Sequence, residues 1–431
     1  MENLRIVLAS DWYRPRKGGV ETAIYNIAQT LLRHGHEPII VTHQNRELPD
    51  PEPLEYDDGV PVVRFKVPIK GDDYTTSRKA AVLLHDFLKH NAVDVVHGHS
   101  MVSPFAMIAI HVAKGFLGIP TVATHHSLIA EDLNPIHKLM IRYGASRVDV
   151  LTAVSSVSKR DLEEIVGRQV ELAYNCLDLN EWLDADGIDL EGDPILLFVS
   201  RLTERKNPLL ALEAFRRVLR ESPKARLYII GWGPLEEKVR RYISLNNLKG
   251  KAILVGGLER EEVKKYMASS DIFLMPGRKE AFSLVTLEAQ AYGLPVVGFR
   301  DTGVEDIIVD EENGYLVETD EEFIEKTVLL SSDEELRFKF SAQARINAKR
   351  FDCDRLYERY IEIYRSALDN CSREKRFLLY SLFRLAKLDP VKPGEWCESR
   401  KQEYYQLPPK RSCVPHIRRR ARRATIPVRQ L

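Results

Sequence analysis

The chain has 431 residues, 44% hydrophobic and 29% charged, with 63 Lys and Arg balanced by 63 Asp and Glu. This composition excludes a collagen-like or wholly disordered chain. The length exceeds what one hydrophobic core supports, so two domains are expected.

Short β-rich runs alternate with helix-length amphipathic segments, the pattern of βαβ units around parallel sheets. Strands are predicted at 5–9, 38–42, 62–67, 93–97, 121–124, 150–153 and 170–173. A second set is predicted at 195–200, 225–230, 252–255, 272–275, 295–298 and 315–317. Between the sets, at 179–194, acids and glycines replace periodic apolar positions, which predicts the hinge. The expected organisation is a first Rossmann-like domain at 1–180, a second at 190–350, a helix at 351–370 and a tail at 372–431.

The tail holds 16 Lys or Arg against 5 Asp or Glu, a net +11, and is an electrostatic unit of its own. Within 373–388, Arg373, Arg376, Arg384 and Lys387 share one helical stripe, while Leu378, Leu379, Leu382, Phe383 and Leu385 occupy much of the rest. Such a helix lies on an anionic membrane surface or packs its apolar face on the first domain. The arginines at 418–423 have no interleaved aromatics, so nucleic acid is not an expected partner.

The five cysteines, Cys176, Cys353, Cys371, Cys397 and Cys413, are odd in number and form no C-x2-C pair, which fits a reducing cytoplasm. The N-terminus enters the apolar run 4–9 without the features of an export signal. The longest apolar stretch, 102–113, is interrupted by Ser103, Pro104 and His111 and falls short of the roughly 18 residues of a membrane span. A cytoplasmic protein is expected.

Open parallel sheets bind ligands outside the carboxyl ends of their strands. Gly18 and Gly19 follow the first strand and open a helix. Lacking Cβ atoms, they admit a phosphate close to free helix N–H groups, or form a plain tight turn. Arg201 and Lys206 follow the first strand of the second set, where a guanidinium fork and an ammonium both reach one diphosphate. A solvated basic loop is the alternative there.

Glu280 and Glu288 stand eight apart. A helix beginning near Phe282 puts Glu280 in the preceding loop and Glu288 about two turns in, with the amides of Phe282, Ser283 and Leu284 facing the phosphates. The alternative makes Glu280 a capping acid and Glu288 an exposed helix residue. Two D-x-D sequences, Asp184-Ala185-Asp186 and Asp352-Cys353-Asp354, fall in the hinge and at the start of a late helix. No metal site is predicted.

Several motifs occur in a telling order: Gly18-Gly19-Val20-Glu21, Val96-His97-Gly98-His99-Ser100, Thr124-His125-His126-Ser127, Ala153-Val154-Ser155, Ser200-Arg201 to Lys206, Gly231-Trp232-Gly233-Pro234, and the pair Glu280 and Glu288. The ordered set resembles the retaining glycosyltransferases of family 4 over about residues 1–370. Only the loop Tyr174-Asn175-Cys176-Leu177 departs locally from the family's Pro-Asn-Gly.

The resemblance implies an α/β GT-B fold, two facing Rossmann-like doubly wound domains with a C-terminal helix crossing back to the first. It implies a nucleotide-sugar donor, most commonly UDP-linked, retention of configuration, and no metal or other cofactor. Gly18 and Gly19 would approach the diphosphate, Arg201 and Lys206 its phosphates, Glu288 the ribose, and Glu280 and His126 the transferred sugar. His97, His99 and His125 keep a structural alternative.

Residues 10–21, 41–43 and 97–100 look most like the branch that adds N-acetylglucosamine to phosphatidylinositol. That similarity implies a lipid acceptor and a peripheral position on the inner face of a membrane, with saccharide and small-molecule acceptors still open. A nucleotide-sugar epimerase or hydrolase of the same fold and a polysaccharide-directed transferase are the alternatives.

Overall fold

The computed structural model describes residues 3–373, except Asp72, Ala130 and Asp132, together with Leu407. The remaining tail, with its expected amphipathic and arginine-rich stretches, lies outside the described residues. Leu407 rests on the core of the first domain and donates its N–H to Asn91 Oδ1 at 2.9 Å.

The first domain contains β1 (Arg5–Ala9), β2 (Glu37–His43), β3 (Leu54–Asp57), β4 (Val60–Phe65), β5 (Val95–His99), β6 (Thr121–His125), β7 (Val150–Ala153) and β8 (Glu171–Leu172). They form one sheet in the order β3-β4-β2-β1-β5-β6-β7-β8, parallel except where β3 runs against β4. The crossovers are α1 (Gly19–Arg33), α2 (Arg78–His90), α3 (Pro104–Val112), α4 (Pro135–Ala145) and α5 (Ser156–Val166). Beyond Arg5, β1 is apolar because both faces are covered. Ile6 and Leu8 join one core cluster, and Val7 and Ala9 join the cluster on the opposite face.

A short α6 (Leu179–Trp182) leads to the second domain, with β9 (Ile195–Val199), β10 (Arg226–Ile230), β11 (Ala252–Gly256), β12 (Ile272–Met275), β13 (Val296–Phe299) and β14 (Gly314–Val317). Its sheet is parallel in the order β11-β10-β9-β12-β13-β14. The same alternation recurs in β9: Leu196 and Phe198 pack on one side, Ile195 and Leu197 on the other. Its helices are α7 (Pro208–Glu221), α8 (Glu236–Leu245), α9 (Arg260–Ala268), α10 (Leu284–Ala291), α11 (Asp320–Ser332) and α12 (Glu334–Ala348). Then α13 (Cys353–Arg373) returns to the first domain, where Tyr357, Tyr360, Ile361, Tyr364 and Ala367, at helical spacing, share a cluster with Ile6, Leu8 and Ile24.

Two expectations are corrected. The hinge expected over 179–194 is in part a packed helix: Trp182 is 1% exposed, donates from Nε1 to Glu288 O at 3.4 Å, and lies under the Arg260 guanidinium. The apolar area of that one indole outweighs the acidic surroundings that mark a linker in sequence. Two of the cysteines, expected to be unpaired, are also structural. Cys176 and Cys353, both buried, form a disulfide with Cα atoms 4.8 Å apart. Their separation of 177 residues hides the pair from any spacing rule. Around it, Leu177 N–H donates to Phe351 O and Cys353 N–H to Leu177 O, so the two chain crossings between domains are tied together.

Candidate active site

Strand order reverses between β1 and β5 in the first sheet and between β9 and β12 in the second. Loops after those strands diverge at the reversal and leave a crevice. Gly18 and Gly19 lie beyond β1, and Arg201 and Lys206 beyond β9. Glu280 lies beyond β12. The two crevices face each other: Lys17 Nζ meets Glu259 Oε1 at 2.6 Å, and Ser156 N–H donates to Asp306 Oδ2 at 2.6 Å.

On the first domain, Gly18 caps α1 in extended backbone with no side-chain bond to the helix start, so the first-turn N–H groups keep their donor capacity. A Cβ on Gly18 would sit 2.5 Å from Glu21 Oε2, whereas nothing lies within 4 Å of a Cβ on Gly19. Burial pushes the Glu21 carboxyl above its ordinary range, and the charges of Arg16 and Arg201 oppose this. Arg201 therefore acts on the Gly18–Glu21 turn from across the cleft.

On the second domain, Arg201 is exposed and Lys206 is not. Lys206 Nζ and Glu280 Oε1 form a buried ion pair at 2.5 Å, with side chains 14% and 7% exposed. Burial pulls the Lys206 ammonium below its ordinary range, Glu280 opposes that, and Arg205 and Arg201 add to it. Behind this loop Gly231 has φ +137°, and a Cβ there would sit 1.9 Å from Ser200 O. No other residue lets the Gly231-Trp232-Gly233-Pro234 turn press against the Arg201 backbone. Gly303 plays the same part for Glu280: its N–H donates to Glu280 O at 2.6 Å, and a Cβ would meet Ala281 O at 2.1 Å.

The helix expected from Phe282 begins later. Ser283 is the N-cap of α10 with φ +75°, and Phe282 is buried beside Tyr174 and Phe351. Its large ring is drawn into the core, and the turn this requires delays the helix. Glu288 then sits just over one turn into α10, not two. It is half-buried, and burial raises its carboxyl to about 7 against the opposing charges of Arg260 and Lys264. Asp184 of the first D-x-D sequence pairs with Lys264 Nζ at 3.1 Å.

His126, just beyond β6, is reached through a buried chain. His99 Nδ1 meets His126 Nε2 at 3.1 Å, and the rings of His97 and His99 are 4.2 Å apart. His97 in turn bonds Thr124 Oγ1 at 2.6 Å and the Tyr364 hydroxyl of α13 at 3.0 Å. Burial, with neighbouring imidazoles adding to it, pulls His99 and His126 well below their ordinary 6.5 and His97 to about 3. All three are neutral at neutral pH. His125 points elsewhere and bonds Asp161 Oδ2 at 3.2 Å.

Sequence reasoning missed Asp11. Its buried carboxylate takes His43 Nε2 at 2.9 Å and Thr75 N–H at 3.0 Å on one oxygen. The other oxygen accepts from Ser103 Oγ and Phe105 N–H at 2.5 and 2.9 Å. One acid thus fixes three segments of the first domain at the carboxyl ends of its strands. The available signal was an acid two residues beyond an apolar strand end.

The Glycosyltransferase Family 4 model matches residues 17–181, and the Glycosyl transferases group 1 model matches residues 183–347. Together the two matches span most of the chain, which is a glycosyltransferase with a family 4 first half, a group 1 second half and the GT-B fold, an enzyme that transfers a sugar. It is 27% identical over 318 residues to an Arabidopsis thaliana subunit of phosphatidylinositol N-acetylglucosaminyltransferase, covering 72% of this chain and 70% of the relative. It is 28% identical over 292 residues to the N-acetyl-alpha-D-glucosaminyl L-malate synthase of Bacillus anthracis, covering 64% and 75%. Among solved structures, Anabaena HepE in complex with UDP and glucose superposes with a TM-score of 0.67 at 17% identity, over 84% of this chain and all of that one. A sucrose-phosphate synthase from Thermosynechococcus elongatus gives 0.69 at 16%, over 85% and 100%.

Proposed function

We propose that the chain transfers a hexose or N-acetylhexosamine from a UDP-linked donor to a phosphoinositol-type lipid, with retention of configuration and without a metal ion. The observation that carries this reading is the cluster of Arg201, Lys206 and Glu280 opposite the glycine turn at Gly18 and Gly19. Arg201 and Lys206, with the amides of Ser283 and Leu284, hold the donor diphosphate, and Glu288 accepts from the ribose hydroxyls. Glu280 and His126 flank the sugar. Phe282 contributes its backbone N–H alone.

In the reaction the bond from sugar C1 to the diphosphate oxygen breaks, and the acceptor hydroxyl oxygen bonds C1 on the same face. The hydroxyl proton passes to the departing diphosphate. The cations offset the charge gathering on that leaving group. Neutral His126 accepts or donates a hydrogen bond without adding charge beside the sugar.

The lipid acceptor is supported by the similarity to the Arabidopsis protein. Among the described residues no helix is long and apolar enough to cross a membrane, and the basic stretch 373–431 adds attraction to an anionic surface. Peripheral placement on the inner membrane face belongs to this proposal. A small-molecule acceptor is the second reading, favoured by comparable similarity to the Bacillus malate-directed enzyme.

The test is nucleoside diphosphate release from UDP-, GDP- and ADP-sugars, with and without phosphatidylinositol or L-malate, with chelator present throughout. Phosphatidylinositol-dependent release of UDP is expected. Release that needs no acceptor would replace transfer by hydrolysis or epimerisation, and malate-dependent release would select the second reading.

A further inference from the structure

We infer that α4 is a membrane-docking helix that seats on an anionic phospholipid bilayer. Ile136, Leu139, Met140 and Tyr143 are 71, 66, 64 and 50% exposed. Their spacing places them on one face of the helix. The opposite face already serves the fold: Ile141 packs on a core cluster, and Gly144 and Ala145 are buried. A helix apolar on both faces is normally covered on both. Among the described residues only one is covered.

Charge selects the occupant among three candidates. The helix, PIHKLMIRYGA, contains no acidic residue. At 100° per residue, exposed His137 and Arg142 border the stripe on either side. A second copy of the chain would bring two Arg142 side chains together with no acid on either helix to offset them. The tail of this chain, at net +11, would add still more positive charge beside them. An anionic bilayer instead attracts the rim and takes up the stripe, as interfacial helices with this arrangement do. Lys138, paired with Glu164 at 3.0 Å, and the Asn134 cap on His137 N–H hold the helix in place as a rigid platform.

The position suits the proposed chemistry. α4 follows the loop that leaves β6 and carries His126, so a bilayer seated on the helix lies beside the acceptor half of the cleft. In that respect the inference extends the lipid-acceptor reading. Its test is independent of it, because vesicle binding needs neither donor nor acceptor, whereas that reading is tested by turnover.

The experiment is co-sedimentation of the full chain with phosphatidylcholine vesicles with and without phosphatidylserine. The variant combines Ile136→Ser, Leu139→Ser, Met140→Ser and Tyr143→Ser, and its folding is checked by melting temperature. Arg142→Glu alone serves as a second variant that leaves every apolar contact intact. Wild type is expected to bind the phosphatidylserine vesicles, the four-residue variant about tenfold or more weakly, and Arg142→Glu a fewfold more weakly on anionic vesicles only. The inference is overturned if either variant binds anionic vesicles as wild type does, or if wild type does not bind them. It is also overturned if the four-residue variant loses a dimer or loses protease protection of residues 374–431, since either result gives the stripe to another occupant.

Discussion

Replacing Glu288 by glutamine is expected to stabilise the free protein at neutral pH while weakening its hold on the donor. The carboxyl titrates at about 7 instead of its ordinary 4.5, because burial outweighs the charges of Arg260 and Lys264. Between those pH values the folded chain keeps a proton that the unfolded chain has released, so this group makes stability fall as pH rises. At about 1.4 kcal/mol per pH unit, the interval amounts to roughly 3 kcal/mol by pH 7. Glutamine does not titrate and escapes the penalty. For a domain of this size each kcal/mol moves the melting midpoint by roughly 2–4 °C, so the advantage of the variant is expected to reach about 6–12 °C above pH 7. It is expected to vanish below pH 4.5, where both chains are neutral at this position. Melting curves of the two proteins across that range supply the check. Calorimetric titration with UDP is expected to show roughly tenfold to hundredfold weaker binding by the variant, the loss of hydrogen bonds to a charged acceptor. A melting difference that does not change with pH, or a variant less stable than wild type above pH 7, refutes the reasoning.

Arg201→Ala is expected to lower kcat by about a hundredfold or more with little change in melting temperature, since the side chain is exposed and touches the buried Glu21 only through its charge across the cleft. Lys206→Ala is different: it strands the buried Glu280 carboxylate and is expected to cost about 3–5 kcal/mol of stability, much of which adding Glu280→Gln restores in urea unfolding without restoring turnover. The lowered His97, His99 and His126 contribute stability that is present above pH 6.5 and is lost as pH falls toward their folded values, with His97 near 3. Replacing His99 by Gln is expected to flatten the acid limb of the melting profile measured below pH 6.5. Removing the disulfide by a Cys176→Ser, Cys353→Ser double variant is expected to cost up to about 5 kcal/mol from loop entropy over 177 residues, read from denaturant midpoints with and without reductant.

The alternation of strands and helices was legible because parallel strands covered on both faces are continuous apolar runs, as in Ile195–Val199. β3 was not, since Leu54–Asp57 is a short edge strand with no fully buried residue, of which Leu54 packs against the core. The site loops could be placed from strand ends alone, and Arg201, Lys206 and Glu280 do come together. What sequence did not carry was partnership across long separations. Nothing near Lys206 announces its bond to Glu280, and nothing near His126 announces a chain of imidazoles ending on Tyr364 of the returning helix. Helix starts were misplaced for a local reason: the pull of Phe282 into the core forces a left-handed Ser283, and a serine gives no warning of that conformation.

The ties between the two domains divide into permanent and breakable ones, and the division says where closure pivots. At the crossings, Cys176 and Cys353 are bonded covalently, Leu177 exchanges backbone hydrogen bonds with both Phe351 and Cys353, and Trp182 is sealed beneath Arg260. These contacts are buried and cannot open without exposing core. Across the cleft mouth, Lys17 and Glu259 are an exposed pair, and Arg160 reaches Glu305 at only 3.8 Å. Exposed pairs of this kind contribute about 0–1 kcal/mol each and yield to water. A rotation about the Cys176–Cys353 crossing would break these exposed pairs and the Ser156–Asp306 hydrogen bond while swinging Gly18 and Gly19 away from Arg201. Donor and acceptor can enter such a cleft, and in the proposed complex a diphosphate held by Arg201 and Lys206 would draw the α1 N-terminus at Gly18 toward it and so favour closure.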